Sequence, residues 1–263
     1  MTAAHTYQQL RAHLAYLRLD TAAEALAREL EQARERKLSH TVFLEQLLAI
    51  EVTATAERRR AGRLRLAGFP APWRLEHFDY DAQPGLDRAL VTDLATLRFL
   101  DEAANVLFIG PPGVGKTHLA IALGHLAIDA GHRVYYTTAA DLAARCHRAA
   151  IEGRWATTMR FFAAPQLLII DELGYLPLPP EASSALFQVV ARRYLKGSIV
   201  LTTNRGITEW GEIFDDSTVA AAMLDRLLHR AVVVANDGDS YRLRTHQARI
   251  DQLRKGITPM TTR

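Results

Sequence analysis

The spacing of apolar positions changes character about a quarter of the way along the chain. TAAEALARELEQARERK, residues 21–37, repeats apolar side chains at helical intervals and puts Leu26 and Leu30 on one face. Thr21 and Glu24 stand at the separation of a capping box, so the helix is expected to start there. Ser39 is placed to cap a second long helix carrying Val42, Phe43, Leu47, Leu48 and Ile50. Gly68, Pro70 and Pro72 end the helical pattern and set a boundary within residues 67–73. Beyond it, short apolar runs predict strands: NVLFI (105–109), RVYYTT (133–138), QLLIID (166–171), SIVLTTN (198–204) and AVVVA (231–235). Helical patterns fall between them: 116–130 closed by Gly131, two segments within 139–164 divided at Gly153, and 181–196 closed by Gly197. This alternation predicts an α/β fold, a five-stranded parallel sheet between helices, preceded by a small all-α domain. Ligands of such sheets bind at the carboxyl ends of the strands, which is where chemistry is sought.

Composition narrows the setting. Of 263 residues 49% are hydrophobic, enough for a packed core. The single cysteine, Cys146, excludes a disulfide framework and fits a reducing compartment. No apolar run suggests a secretory signal or a membrane span, so a soluble, cytoplasmic protein is expected. The formal net charge is only +3, but the basic residues are clustered. ERRRAGRLR (57–65) holds five arginines in nine positions, and residues 242–263 hold six basic residues against one acid. Clustered arginine suits phosphate recognition, although a solvated helix face accounts for the first cluster equally well.

The most specific signal is GPPGVGKT, which is Gly110, Pro111, Pro112, Gly113, Val114, Gly115, Lys116 and Thr117. It fits G-x-x-x-x-G-K-[ST] and lies between a predicted strand and a predicted helix, as a phosphate-binding loop requires. Glycines let backbone N–H groups turn inward, and the helix adds its positive N-terminal dipole. Lys116, one of only four lysines against 28 arginines, is a point charge for the β- and γ-phosphates; the Thr117 hydroxyl is a ligand for Mg2+. His118 follows at the start of the helix. Hydrolysis needs more, and LLIIDE supplies it: Asp171 to hold Mg2+ and Glu172 as general base toward water. LTTN ends another strand with Asn204, whose amide is suited to orient that water. No N-K-x-D pattern reads guanine, so ATP is the expected nucleotide. Trp73 and Phe78 suit either the border of a base pocket or the core, with core packing the commoner role for such residues.

GPPGVGKT, LLIIDE, TTN, DRLLHR and DSYR, in that order, resemble the AAA+ ATPases. The nearest resemblance is to the initiator and helicase-loader branch containing DnaC and IstB, and within it to the IstB-like helpers of transposition; it covers nearly the whole chain. The resemblance implies that Arg226 in LDRLLHR is an arginine finger reaching the neighbouring subunit's γ-phosphate, hence a homo-oligomer. It also implies that Arg242 in DSYR contacts nucleotide in its own subunit, although only 21 residues follow it, too few for a C-terminal helical lid. An extra helix within 139–164 touches DNA in that branch, which makes Arg145, Arg148, Arg154 and Arg160 candidate contacts to the backbone of duplex DNA without sequence preference.

The expected organisation is therefore a helical partner-binding domain (1–67), a linker with the first core helix (68–104), an ATPase core (105–245) and a basic tail (246–263). The implied function is ATP-dependent assembly on duplex DNA that recruits and stimulates a transposase. A DnaC-like loader of a replicative helicase is the alternative. A non-hydrolysing DNA-bridging scaffold is a further one, against which Glu172 counts.

Overall fold

The computed structural model describes residues 3–175, 179–214 and 217–241. The chain forms two compact units, Met1–Gly62 and Arg63–Arg263. Among the described residues no helix is long and apolar enough to cross a membrane.

The first unit is built from α1 (Ala3–Tyr16), α2 (Asp20–Glu35) and the greater part of α3 (His40–Ala67). Leu14, Ala22, Ala23, Leu26 and Leu47 form its core. Ser39 caps α3 as expected, accepting the Val42 N–H at 3.4 Å. The capping box expected at Thr21 does not form. Helix α2 already begins at Asp20, and the Ala22 N–H donates to the Glu51 carboxylate at 2.9 Å. A buried carboxylate needs donors, and the unpaired N–H groups of a helix start are well suited to it. Glu51 thus takes the place of a local cap, while the Thr21 hydroxyl accepts from Arg58 at 3.0 Å. Leu30 is 38% exposed rather than in the core, because Glu29 takes the next buried position along α2.

Helix α3 stops at Ala67, and Gly68 with φ of +70° supplies the left-handed residue that commonly follows a helix. The second unit continues through α4 (Arg88–Ala95), α5 (Arg98–Asp101), β1 (Asn105–Ile109), α6 (Lys116–Asp129), β2 (Val134–Thr138), α7 (Ala139–Ile151) and α8 (Trp155–Ala163). It is completed by β3 (Leu167–Leu173), α9 (Pro180–Arg193), β4 (Ser198–Thr203), α10 (Trp210–Phe214), α11 (Ser217–Leu228) and β5 (Ala231–Ala235). The five strands are parallel in the order β2–β3–β4–β1–β5. Successive strand residues serve opposite cores: Leu107, Ile170 and Leu201 join one, Val106, Ile169 and Val200 the other. Both faces are covered, which is why these strands read as continuous apolar runs.

Two departures from the expected strand and helix ends have clear causes. Helix α9 ends at Arg193, not at 196, and the buried Arg193 guanidinium donates to the carbonyls of Phe162, Pro165, Gln166 and Ser198. Strand β3 runs past Asp171 to Leu173, but its register against β4 slips between Ile170 and Leu173. That bulge lies at the carboxyl end of the sheet, next to the first βα turn.

Candidate functional site

The loop from Gly110 to Gly115 leaves β1 and delivers the chain to α6 with Lys116 as its first residue. Two of its glycines are required by close approach. At Gly110 a β-carbon would lie 2.1 Å from the Asn236 carbonyl oxygen, and at Gly115, where φ is +92°, it would lie 2.6 Å from the Phe78 ring. Lys116 is only 7% exposed, and its Nζ donates to the carbonyls of Gly110 at 2.6 Å and Pro111 at 2.7 Å. The loop is curled around its own ammonium.

Asp171 is the polar centre of the site and is 1% exposed. Three hydroxyls donate to it. Thr117, on the first turn of α6, reaches Oδ1 at 3.0 Å; Thr202 on β4 reaches the same oxygen; Tyr136 on β2 reaches Oδ2 at 2.8 Å. Burial, and then the adjacent Asp171 charge, push the Tyr136 phenol well above its ordinary range, so it stays a donor at any working pH. Glu172 follows on the bulge with φ of +63°, its side chain exposed and its N–H donating to Thr202 Oγ1 at 3.0 Å. Successive carboxylates thus face opposite environments, one buried and held by hydroxyls, the other turned out.

The loop from Gly113 to His118, together with Glu172, Thr202 and Thr203, lines a cavity of about 390 Å³. The volume lies within the ~300–1,000 Å³ usual for small-molecule sites. An aromatic wall of Trp73, His77 and Phe78 faces the loop. His118 stacks on Trp73 with ring centres 5.7 Å apart and 10° between planes, and its Nε2 lies 2.9 Å from the Arg74 carbonyl oxygen. Trp73 and Phe78 are therefore cavity walls, although Phe78 also packs against the core. The donor set fits a magnesium-bound triphosphate: a glycine loop with room for phosphate oxygens, a helix N-terminus, an ammonium, and a hydroxyl beside a carboxylate.

Other contributors carry no local sequence signal. After β5 the chain returns over the loop: Asn236 Nδ2 donates to the Val114 carbonyl at 2.6 Å, and the Tyr241 N–H donates to the Gly113 carbonyl at 3.0 Å. Gln83 Nε2 holds this return through the Asp239 carbonyl at 2.8 Å.

Not every residue singled out from the sequence joins the cavity. Asn204 follows β4, and its buried Oδ1 has no hydrogen-bond partner among the described residues, yet it is not one of the cavity walls. Arg226, on α11, stands at the other end of the sheet: Asn105, the first residue of β1, donates to the Leu227 carbonyl at 2.9 Å. Five strand residues, roughly 13 Å at about 3.3 Å per residue, separate that end from the phosphate loop. The Arg226 guanidinium donates to the Ala222 carbonyl at 2.8 Å and lies 4.9 Å from the Phe187 ring centre. Arg145 stacks on Phe161 at 3.7 Å, Arg154 pairs with Glu152, and Arg148 and Arg160 are exposed; all four lie on or between α7 and α8, away from the cavity. Arg242 and the tail lie outside the described residues.

A parallel five-stranded sheet in this order, with a glycine loop after β1 and an acidic pair at the end of β3, defines a P-loop nucleotide-binding protein of the AAA+ class. Solved structures share the fold. AMPPCP-bound DnaA from Aquifex aeolicus superposes with a TM-score of 0.54 at 20% identity, over 70% of this chain and 56% of that one. DnaI superposes with a TM-score of 0.54 at 15% identity, over 63% and 91%. The sequence is more specific: residues 12–249 match the family of IstB-like ATP binding proteins, and the chain belongs to it. A protein of Geobacillus stearothermophilus named for ATP binding and insertion sequence IS5376 is 44% identical over 87% of this chain and 91% of its own. One of Pseudomonas aeruginosa, named for ATP binding and IS21, is 41% identical over 96% and 95%.

Proposed function

We propose that this chain is a Mg2+-dependent ATPase of DNA transposition that assembles with copies of itself on duplex DNA and recruits and stimulates the transposase of its insertion sequence. The observation that carries the hydrolytic part is the pairing of a buried Asp171, 3.0 Å from the Thr117 hydroxyl, with an outward Glu172 at the rim of the same cavity. The transposition part rests on the insertion-sequence names of the relatives.

In this reading the N–H groups of residues 113–117 and the α6 dipole hold the phosphates. Lys116 exchanges its loop carbonyls for β- and γ-phosphate oxygens, and His118 and Trp73 border the base. Thr117 and Asp171 would hold Mg2+, which when bound neutralises developing phosphate charge. Glu172 takes the proton of the attacking water, and the Asn204 amide orients that water from the turn after β4. Arg226, at the end of the sheet remote from its own loop, acts on the nucleotide of an adjoining copy, so hydrolysis requires assembly. Arg242 contacts nucleotide in its own subunit. Arg145, Arg148, Arg154 and Arg160 contact DNA phosphates, and residues 1–67 bind the transposase.

Phosphate release by the full chain with ATP and Mg2+, with and without duplex DNA, tests this. DNA-stimulated turnover that disappears in Lys116→Ala and Glu172→Gln is expected. ATP binding with no turnover under either condition would reduce the protein to an ATP-gated scaffold.

A further inference from the structure

We propose that Thr202 is a positioning residue that sets the general base through the metal-binding carboxylate, an inference that rests on the hydrolytic reading above. Thr202 is 1% exposed and opens the TTN at the end of β4, in which the sequence assigns a role only to Asn204. Its hydroxyl does two things at once: it donates to Asp171 Oδ1 and accepts the Glu172 N–H at 3.0 Å. The second bond answers a specific need. The register slip between Ile170 and Leu173 leaves Glu172 out of the ladder with φ of +63°, a left-handed conformation that is unfavourable for a non-glycine residue. A bulged N–H without a ladder partner takes the hydroxyl instead.

The two bonds depend on each other. Donating to an ionised carboxylate polarises the hydroxyl and makes it a better acceptor for the Glu172 N–H. The peptide that aims Glu172 toward the cavity is thereby referenced to the atom that Thr117 also touches. Loss of the Thr202 hydroxyl leaves Asp171 with two donors, Thr117 and Tyr136, so its charge stays supported. Glu172 has no such substitute: the Thr202 hydroxyl is the acceptor of its N–H. The expected defect is therefore in the chemical step and not in nucleotide binding.

Thr202→Val keeps the shape and the β-strand preference while removing the hydroxyl. It is expected to lower kcat about 10–100-fold, the effect of leaving the Glu172 N–H without its acceptor, with ATP affinity in Mg2+ within about threefold of the parent. Thr202→Ser restores most of kcat. Tyr136→Phe, which removes a donor from Asp171 without touching Glu172, lowers kcat less than Thr202→Val does. If valine prevents folding, as judged by melting, Thr202→Ala supplies the hydroxyl-free comparison. Parental kcat in the hydroxyl-free variant, or serine no better than valine, overturns the proposal while leaving the ATPase intact. ATP affinity that falls as far as kcat also overturns it, since Thr202 would then merely hold the site together. A parent chain inert with and without DNA removes the hydrolytic reading itself, and this inference with it.

Discussion

The Thr117 hydroxyl lies 3.0 Å from Oδ1 of Asp171, so the first turn of α6 and the end of β3 meet at a single oxygen although 54 residues separate them. Asp171→Asn keeps the three surrounding hydroxyls and the side-chain shape but removes the charge. ATP affinity measured in Mg2+ is expected to fall about tenfold or more, toward the value in EDTA. Fluorescence titration with a labelled ATP analogue in both buffers checks it. Equal losses in Mg2+ and EDTA would mean that Asp171 serves the loop and not the metal.

Arg226 and Lys116 belong to opposite ends of the same sheet, and this predicts complementation. Arg226→Ala alone should lose about 10³–10⁵ in rate, and Lys116→Ala alone should lose ATP binding. Mixed, the two proteins form composite sites that join an intact loop from one copy to an intact arginine from another. Partial recovery of phosphate release in the mixture is the expected result. No recovery at any mixing ratio would assign Arg226 to its own subunit.

In the N-terminal unit the Ala22 N–H, reinforced by Arg58 and Thr55, holds the Glu51 carboxyl below its ordinary 4.5 against the opposing effect of burial. A folded-state value below the unfolded one contributes stability above the unfolded value, and loses it as pH falls through the folded value. Glu51→Gln should therefore lower the melting temperature of this unit at pH 7, and the gap from the parent should close on acidification below about 4. Melting curves followed by circular dichroism across that range measure it. A gap that does not change with pH would show that the ionised form is not what caps α2.

Cys146 is fully buried on α7, and burial pushes its thiol up to about 11. A neutral, enclosed thiol is a poor nucleophile. A colorimetric disulfide reagent at pH 8 should leave the native protein unlabelled over minutes and titrate one thiol per chain after denaturant is added. Rapid labelling of the native protein would mean that α7 opens on that timescale.

The sheet was legible because its inner strands β1, β3 and β4 are buried on both faces, which gives continuous apolar runs with punctuation on either side. The phosphate loop was legible because every part of its mechanism lies within eight consecutive residues, 110–117. What escaped is what pairing creates. The left-handed turn at Glu172 arises from a register slip against β4, and no local signature encodes a slip. Tyr136 and Thr202 reach Asp171 from 35 and 31 residues away; in the sequence Tyr136 is an ordinary strand residue, and TTN draws attention to Asn204 and not to Thr202. Thr21 was misleading for the converse reason: the local capping pattern is present, but a carboxylate from another helix occupies the position first. The opposition of Arg226 to its own loop also required three dimensions, since a motif carries no statement of which end of a sheet it joins.

The clasp of Lys116 by the Gly110 and Pro111 carbonyls has a kinetic corollary. A loop already wound about an internal cation meets its ligand by trading one shell of oxygens for another. Little chain entropy remains to be surrendered on capture, so association should proceed at rates set by encounter, and differences in affinity among nucleotides should be expressed in how quickly each escapes.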